Sequence, residues 1–169
     1  MWQGIHALAQ RLGPVPTIID VGASNGMWTE LALVDFPNSQ YLLIEANPVH
    51  EPALQQFCAP RANVSYVLAA AGAAAGQIYF HIGSPLGGRA SYTPFKEAYN
   101  AQLPVITLDE EVHKRQLAGP FVLKLDTHGF EVPIFDGAPT TLANTAAIIV
   151  EVYNFKTGPE SLLFYDMCA

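Results

Sequence analysis

The chain has 169 residues, of which 50% are apolar, 14% charged and 11% aromatic; this suits one globular domain spanning 1–169 and excludes a disordered chain. Fifteen acidic against eight basic residues leave a formal net charge of −7. That balance argues against broad binding to nucleic acid or to acidic lipid, both of which need clustered Lys and Arg.

In chain order, Trp2, Ile5, Leu8, Ala9 and Leu12 recur at helical spacing, and Gly13-Pro14 ends that first helix, at 1–14. Thr17 to Val21 is a short apolar run ending in Gly22, a buried strand, followed by a helix over Met27 to Val34. Tyr41 to Ile44 is a second strand ending in Glu45, and Asn47-Pro48 caps and opens another helix. Residues 62–88 carry no charge but are interrupted by Asn63, Ser65, Gln77, His81 and Pro85. Two buried strands, Val64 to Leu68 and Ile78 to Ile82, fit that stretch better than a membrane span. Residues 83–100, rich in Gly, Ser and Tyr, read as a long surface loop.

Val105-Ile106 is a short strand, and Thr107-Leu-Asp-Glu110 has capping-box spacing at the start of a helix reaching about Leu117. Phe121 to Leu125 is a strand ending in Asp126. Glu131 to Leu142 reads as helix with Pro133 in its first turn, Ala147 to Val152 as the last clear strand, and Ser161 to Cys168 as the start of a final helix. Strands alternating with helices imply an α/β sandwich with a mainly parallel central sheet, its strands buried on both faces. Cys58 and Cys168 have no CxxC or Cys/His spacing, so buried thiols in a reducing compartment are expected, and no metal-ligand set is assigned from them. No basic segment followed by a long apolar run opens the chain, so a cytoplasmic location is expected.

Ligands of such sheets bind beyond the carboxyl ends of the strands. The first strand ends in Asp20-Val-Gly22-Ala23-Ser24-Asn-Gly26, a glycine turn leading into a helix, where a ligand can approach the backbone and an anion can meet free N–H groups. Glu45, ending the next strand, is placed to accept hydrogen bonds from both hydroxyls of a ribose. A dinucleotide fold expects GxGxxG; here the glycines follow GxxxG, with Ser24 in the middle place. Asp20 would repel a pyrophosphate and welcome an ammonium group. That pattern favours S-adenosylmethionine over NAD, with Asp20, Gly22, Ala23, Ser24, Gly26 and Glu45 as the cofactor-binding set.

At these residues the sequence resembles the FkbM-type methyltransferases, a branch of the Rossmann-like class I S-adenosylmethionine-dependent enzymes. The matching segments are Ile19-Asp-Val-Gly-Ala-Ser-Asn-Gly26, Ile44-Glu-Ala-Asn-Pro48, Val105-Ile-Thr-Leu-Asp109, Leu123-Lys-Leu-Asp-Thr-His-Gly129 with Glu131 and Gly137, and Ile148-Ile-Val-Glu-Val152. They cover most of 17–155, the expected cofactor-binding core. The resemblance implies methyl transfer to oxygen, on a hydroxyl of a sugar, glycolipid or natural product. Thr127-His128-Gly129 departs from the family's frequent Val-Glu-Gly or Val-Gln-Gly. The two further strands that usually form a C-terminal hairpin are not found before Ala169, so an exposed sheet edge open to self-association is expected.

Asp126 and His128 lie at the strand end nearest the expected methyl group and are the catalytic candidates. His128 suits a general base, and Asp126 would orient it, hold the acceptor hydroxyl or help to ligate a divalent cation. Lys124 shares a strand face with Asp126 and needs a partner, for which Asp126 or Glu151 would serve. Arg89 in the loop, Lys124, Glu151 and Asn154 are the acceptor-site candidates. His6, His50 and His113 lie in helices with no ligand spacing and receive no function. Two other readings stay open: a nicotinamide-dependent oxidoreductase on a similar sheet, and a cofactor-binding module without catalysis.

Overall fold

A computed structural model describes residues 2–96, 100–158 and 161–167. Cys168, the end of the expected last helix, lies outside them. Among the described residues, five parallel strands form the central sheet in the order β3-β2-β1-β8-β9. They are β1 (Thr17–Val21), β2 (Gln40–Glu45), β3 (Val64–Leu68), β8 (Phe121–Leu125) and β9 (Thr145–Val150). All residues of β1 and β8 are buried, as expected of strands covered on both faces. This is a Rossmann-like α/β fold.

Side-chain alternation divides the core between the two faces of that sheet. Ile18, Tyr41, Leu43 and Val122 pack with Ile5, Trp28, Ala32, Phe36 and Leu54. Those partners come from or adjoin the helices α1 (Trp2–Leu12), α2 (Met27–Asp35) and α3 (Glu51–Cys58). On the other face, Ile19, Val21, Leu42, Ile44, Leu123 and Leu125 pack against Ala70, Ile78, Val105, Leu108, Phe130 and Ile134.

That second face is covered in part by a feature the sequence reading did not resolve, a small second sheet in the order β4-β7-β5-β6. Its strands are β4 (Ala70–Ala71), β5 (Gly76–His81), β6 (Arg89–Ser91) and β7 (Asn100–Ile106). β5 pairs antiparallel with both β6 and β7. The expected loop over 83–100 therefore contains a strand and ends in another, and the two-residue strand at Val105-Ile106 extends back to Asn100. Pro104, which cannot donate to a ladder, and the polar Gln102 hid that extension.

The helical segments hold with adjustments. Thr107 caps α4 (Leu108–Lys114) by accepting from the Glu110 N–H at 3.2 Å. The helix expected over Glu131 to Leu142 is two, α5 (Glu131–Asp136) and α6 (Pro139–Ala143), because Pro139 disfavours a helical Ala138 before it. Asp109, from α4, restarts the chain there by accepting from Thr140 N at 2.9 Å, Thr141 N at 2.8 Å and Thr141 Oγ1 at 2.7 Å. The last described helix, α7, is only Phe164–Met167. β9 is an edge strand with Ile148 exposed, and no described helix is long and apolar enough to cross a membrane.

Candidate active site

A cavity of about 290 Å³ opens at the carboxyl ends of β1, β2 and β8, between their tips and the second sheet. Its floor is Val21, Gly22, Ser24 and Ile44, its sides Glu45, Asn47 and His50 on one hand and Asp126, Thr127, His128 and Glu151 on the other. Ala70, Phe80 and Ala90 from the second sheet, with Phe130 and Ile134, make the apolar wall. Its lining holds three carboxylates and neither Lys nor Arg.

Gly22 is required at the base. Its φ is +75°, and a Cβ there would collide with the Asp126 carbonyl, so the tip of β8 rests directly on the glycine turn. Asp126 N donates to Val21 O at 3.0 Å across the same contact. Ser24 and His128, at φ 51° and 55°, are non-glycine residues in the left-handed region that both line the cavity. Such conformations cost about 1–3 kcal/mol and persist where the surroundings enforce them.

Glu45 is buried, and both of its oxygens are anchored: Oε2 accepts from Ser24 N at 2.7 Å and Oε1 from Asn47 N at 2.7 Å. A carboxylate has about four acceptor sites, so each oxygen keeps a lone pair for a ligand hydroxyl. Most N–H groups of the glycine turn are otherwise engaged. Gly22 N and Ala23 N donate to Ile44 O, Gly26 N to Ala23 O, and Met27 N to Asn25 Oδ1. Ala23 is buried beside α2 and Gly26 sits against the Phe57 ring; both shape the turn from outside the cavity.

Asp20 is fully buried and also outside the cavity lining. It shares the sheet face of Ile18, toward α2, where Oδ2 accepts from Thr29 Oγ1 at 2.7 Å. Register places it beside Lys124, whose Nζ stands 2.9 Å from Asp20 Oδ1 and donates to Gly22 O at 2.8 Å. Lys124 thus pairs chiefly with Asp20 and props the glycine turn from below; Asp126 Oδ2 is farther, at 3.8 Å. Arg89 and Asn154 do not line the cavity either. In β6 it is Ala90 that faces inward, so alternation turns Arg89 away, with Nη1 3.5 Å from Thr157 O and the guanidinium over the Phe95 ring.

Asp126, His128 and Glu151 do converge. His128 Nδ1 donates to Gly88 O at 3.0 Å, which leaves Nε2 facing Asp126 Oδ1 at 3.7 Å and Glu151 Oε2 at 4.0 Å. Burial, together with the neighbouring Glu151, pushes the Asp126 carboxyl up to about 6. Glu151 is held below the usual range, first by its hydrogen bond with Asp126 and also by Tyr153 Oη, which donates at 2.8 Å.

Sequence reasoning missed His50 and Asn47. The turn Pro48–His50 follows Glu45 so closely that His50 returns to the cavity, where Nε2 donates to Pro85 O at 2.8 Å. Asn47 Nδ2 contacts Ser84 O at 3.4 Å. With the His128 to Gly88 bond, these tie residues 84–88 across the opening as a strap. The signal available was the Asn47-Pro48 step, one residue beyond Glu45.

A family model described as the methyltransferase FkbM domain matches residues 20–168. The chain belongs to the FkbM methyltransferase family. Among solved structures it is similar to the methyltransferase FkbM from Methylobacillus flagellatus KT, with a TM-score of 0.58, 15% identity and 84% of this chain covered. This FkbM-family chain spans about a third of that protein, 34% of its length. No curated protein matches it. The resemblance carried by the Gly22 turn, Glu45 and the Leu123 to Gly129 segment is thereby confirmed as family membership.

Proposed function

We propose that this chain is the catalytic core of an S-adenosylmethionine-dependent O-methyltransferase that acts on a hydroxyl of a sugar, glycolipid or natural product. The acidic cavity carries this reading: Glu45, Asp126 and Glu151 line it, without a Lys or Arg among the lining residues. A pyrophosphate there would be repelled and left without a cation, so the nicotinamide reading loses its support. A nucleoside bearing a sulfonium and an ammonium suits the same carboxylates.

Glu45 would hold the ribose hydroxyls, preorganised by Ser24 and Asn47, and the apolar wall of Ala69, Ala70 and Phe80 would take the base. Bound there, the donor supplies an electrophilic methyl group. At the other end, Asp126, His128 Nε2 and Glu151 face one point and would orient an acceptor hydroxyl and draw on its proton. Holding the two reactants together in line supplies much of the acceleration, and removal of the proton contributes roughly 10²–10⁴-fold.

The test is calorimetric titration with S-adenosylmethionine. Glu45→Ala should weaken binding by about 1–3 kcal/mol, since charge-assisted hydrogen bonds are lost. Unchanged affinity would remove Glu45 from the site. Transfer of a labelled methyl group to a panel of hydroxylated acceptors then distinguishes an enzyme from a module that only binds.

A further inference from the structure

The cluster at the open end of the cavity has a geometry that hydrogen bonding to an acceptor alone does not require. One ligand atom from each of Asp126, His128 and Glu151 lies within 4.8 Å of the others. A backbone carbonyl only accepts, so the bond to Gly88 O fixes the proton of His128 on Nδ1 and turns the Nε2 lone pair toward the two carboxylates. The Nε2 lone pair thus faces two carboxyl groups that share a hydrogen bond. Lys124, the nearest described ammonium, is committed to Asp20 and Gly22 and reaches only the outer oxygen of Asp126.

We propose that Asp126, His128 and Glu151 bind a divalent cation of the magnesium–manganese class beside the proposed transfer site. Donor chemistry selects the class: two carboxylate oxygens and one imidazole nitrogen, with no thiolate, suit a hard ion with open positions. Ligand atoms about 2.1 Å from such an ion stand roughly 3–4.2 Å apart, and the Nε2 separations of 3.7 and 4.0 Å fall inside that window. The outer contacts are also those of a metal site. Gly88 O orients the imidazole, and Tyr153 Oη holds Oε2, the Glu151 oxygen that faces Nε2. Once the proton of their shared hydrogen bond is released on binding, the two carboxylates also match the ion's charge.

The binding itself is independent of the methyl-transfer reading. What the ion does there rests on that reading: it would hold two neighbouring oxygens of a diol or hydroxy-acid acceptor and acidify the reacting hydroxyl. The hydroxyl proton would pass to Asp126 Oδ2, the oxygen not facing Nε2, as the hydroxyl oxygen takes the methyl group and the sulfonium leaves as a thioether. The three side chains then hold that hydroxyl through the ion rather than directly.

Manganese(II) chloride titrated into the full chain, without donor or acceptor, tests this by electron paramagnetic resonance. One ion per chain is expected, with the spin-echo modulation of a coordinated imidazole nitrogen that His128→Gln abolishes. Asp126→Asn and Glu151→Gln should each weaken binding roughly 10- to 100-fold, and Asp109→Asn, remote from the cavity, should leave it unchanged. No binding at millimolar manganese, or binding without the nitrogen signature, overturns the site, and so does affinity unaffected by Glu151→Gln. The nitrogen signature is read on the unsubstituted protein, so a variant that fails to fold does not blunt the test. S-adenosylhomocysteine titrated into the same samples separates the two claims: its binding without manganese binding removes only the cation.

Discussion

Asp126→Asn is expected to lower methyl-transfer turnover by about 10²- to 10⁴-fold while leaving donor affinity within roughly twofold. The backbone of Asp126 ties the tip of β8 to the glycine turn, through its N–H to Val21 O and its carbonyl against Gly22. An isosteric amide keeps those contacts. What it removes is a carboxylate facing His128 Nε2, beside Glu151, at the point where an acceptor hydroxyl would stand. Steady-state transfer from labelled donor, run beside calorimetry on the same preparation, reads the two quantities separately. Equal loss of turnover and donor affinity would make Asp126 a structural residue.

Lys124→Met should destabilise the fold by about 3–5 kcal/mol, because it strands a buried carboxylate. Asp20 has no exposed surface, and its remaining partner would be the Thr29 hydroxyl. The strut to Gly22 O is lost as well. A domain's whole stability is about 5–15 kcal/mol, so the urea midpoint should fall far. The double variant Asp20→Asn/Lys124→Met should recover much of the loss, since no unpaired charge then stays buried. A loss below about 1 kcal/mol in the single variant would mean that the pair is solvated like a surface ion pair.

The central sheet was legible because doubly buried strands write themselves as unbroken apolar runs. Thr17 to Val21, Tyr41 to Ile44 and Phe121 to Leu125 each end in the polar or glycine residue that marks a strand tip. The second sheet was not legible. Its strands are short or interrupted, as β6 is by length and β7 by Pro104, and their pairing is a tertiary fact that period alone does not carry.

The site divides in the same way. That Glu45, Asp126, His128 and Glu151 line the cavity was legible because position at or just beyond a strand tip is a sequence property. Asp20, Arg89 and Asn154 were expected at the site by the same proximity along the chain, but which side of a strand faces the cavity depends on what covers each face. Asp20 turns to α2, and Arg89 lies opposite the inward Ala90. The Asp20–Lys124 pair needed the cross-strand register of β1 and β8, and His50 needed the path of the chain after Asn47.

The most direct measurement is a crystal structure of the chain with S-adenosylhomocysteine. The ribose hydroxyls are expected on Glu45 and the sulfur turned toward Asp126 and His128. A nucleoside bound away from Glu45, or a cavity left empty while the ligand sits elsewhere, would overturn that assignment.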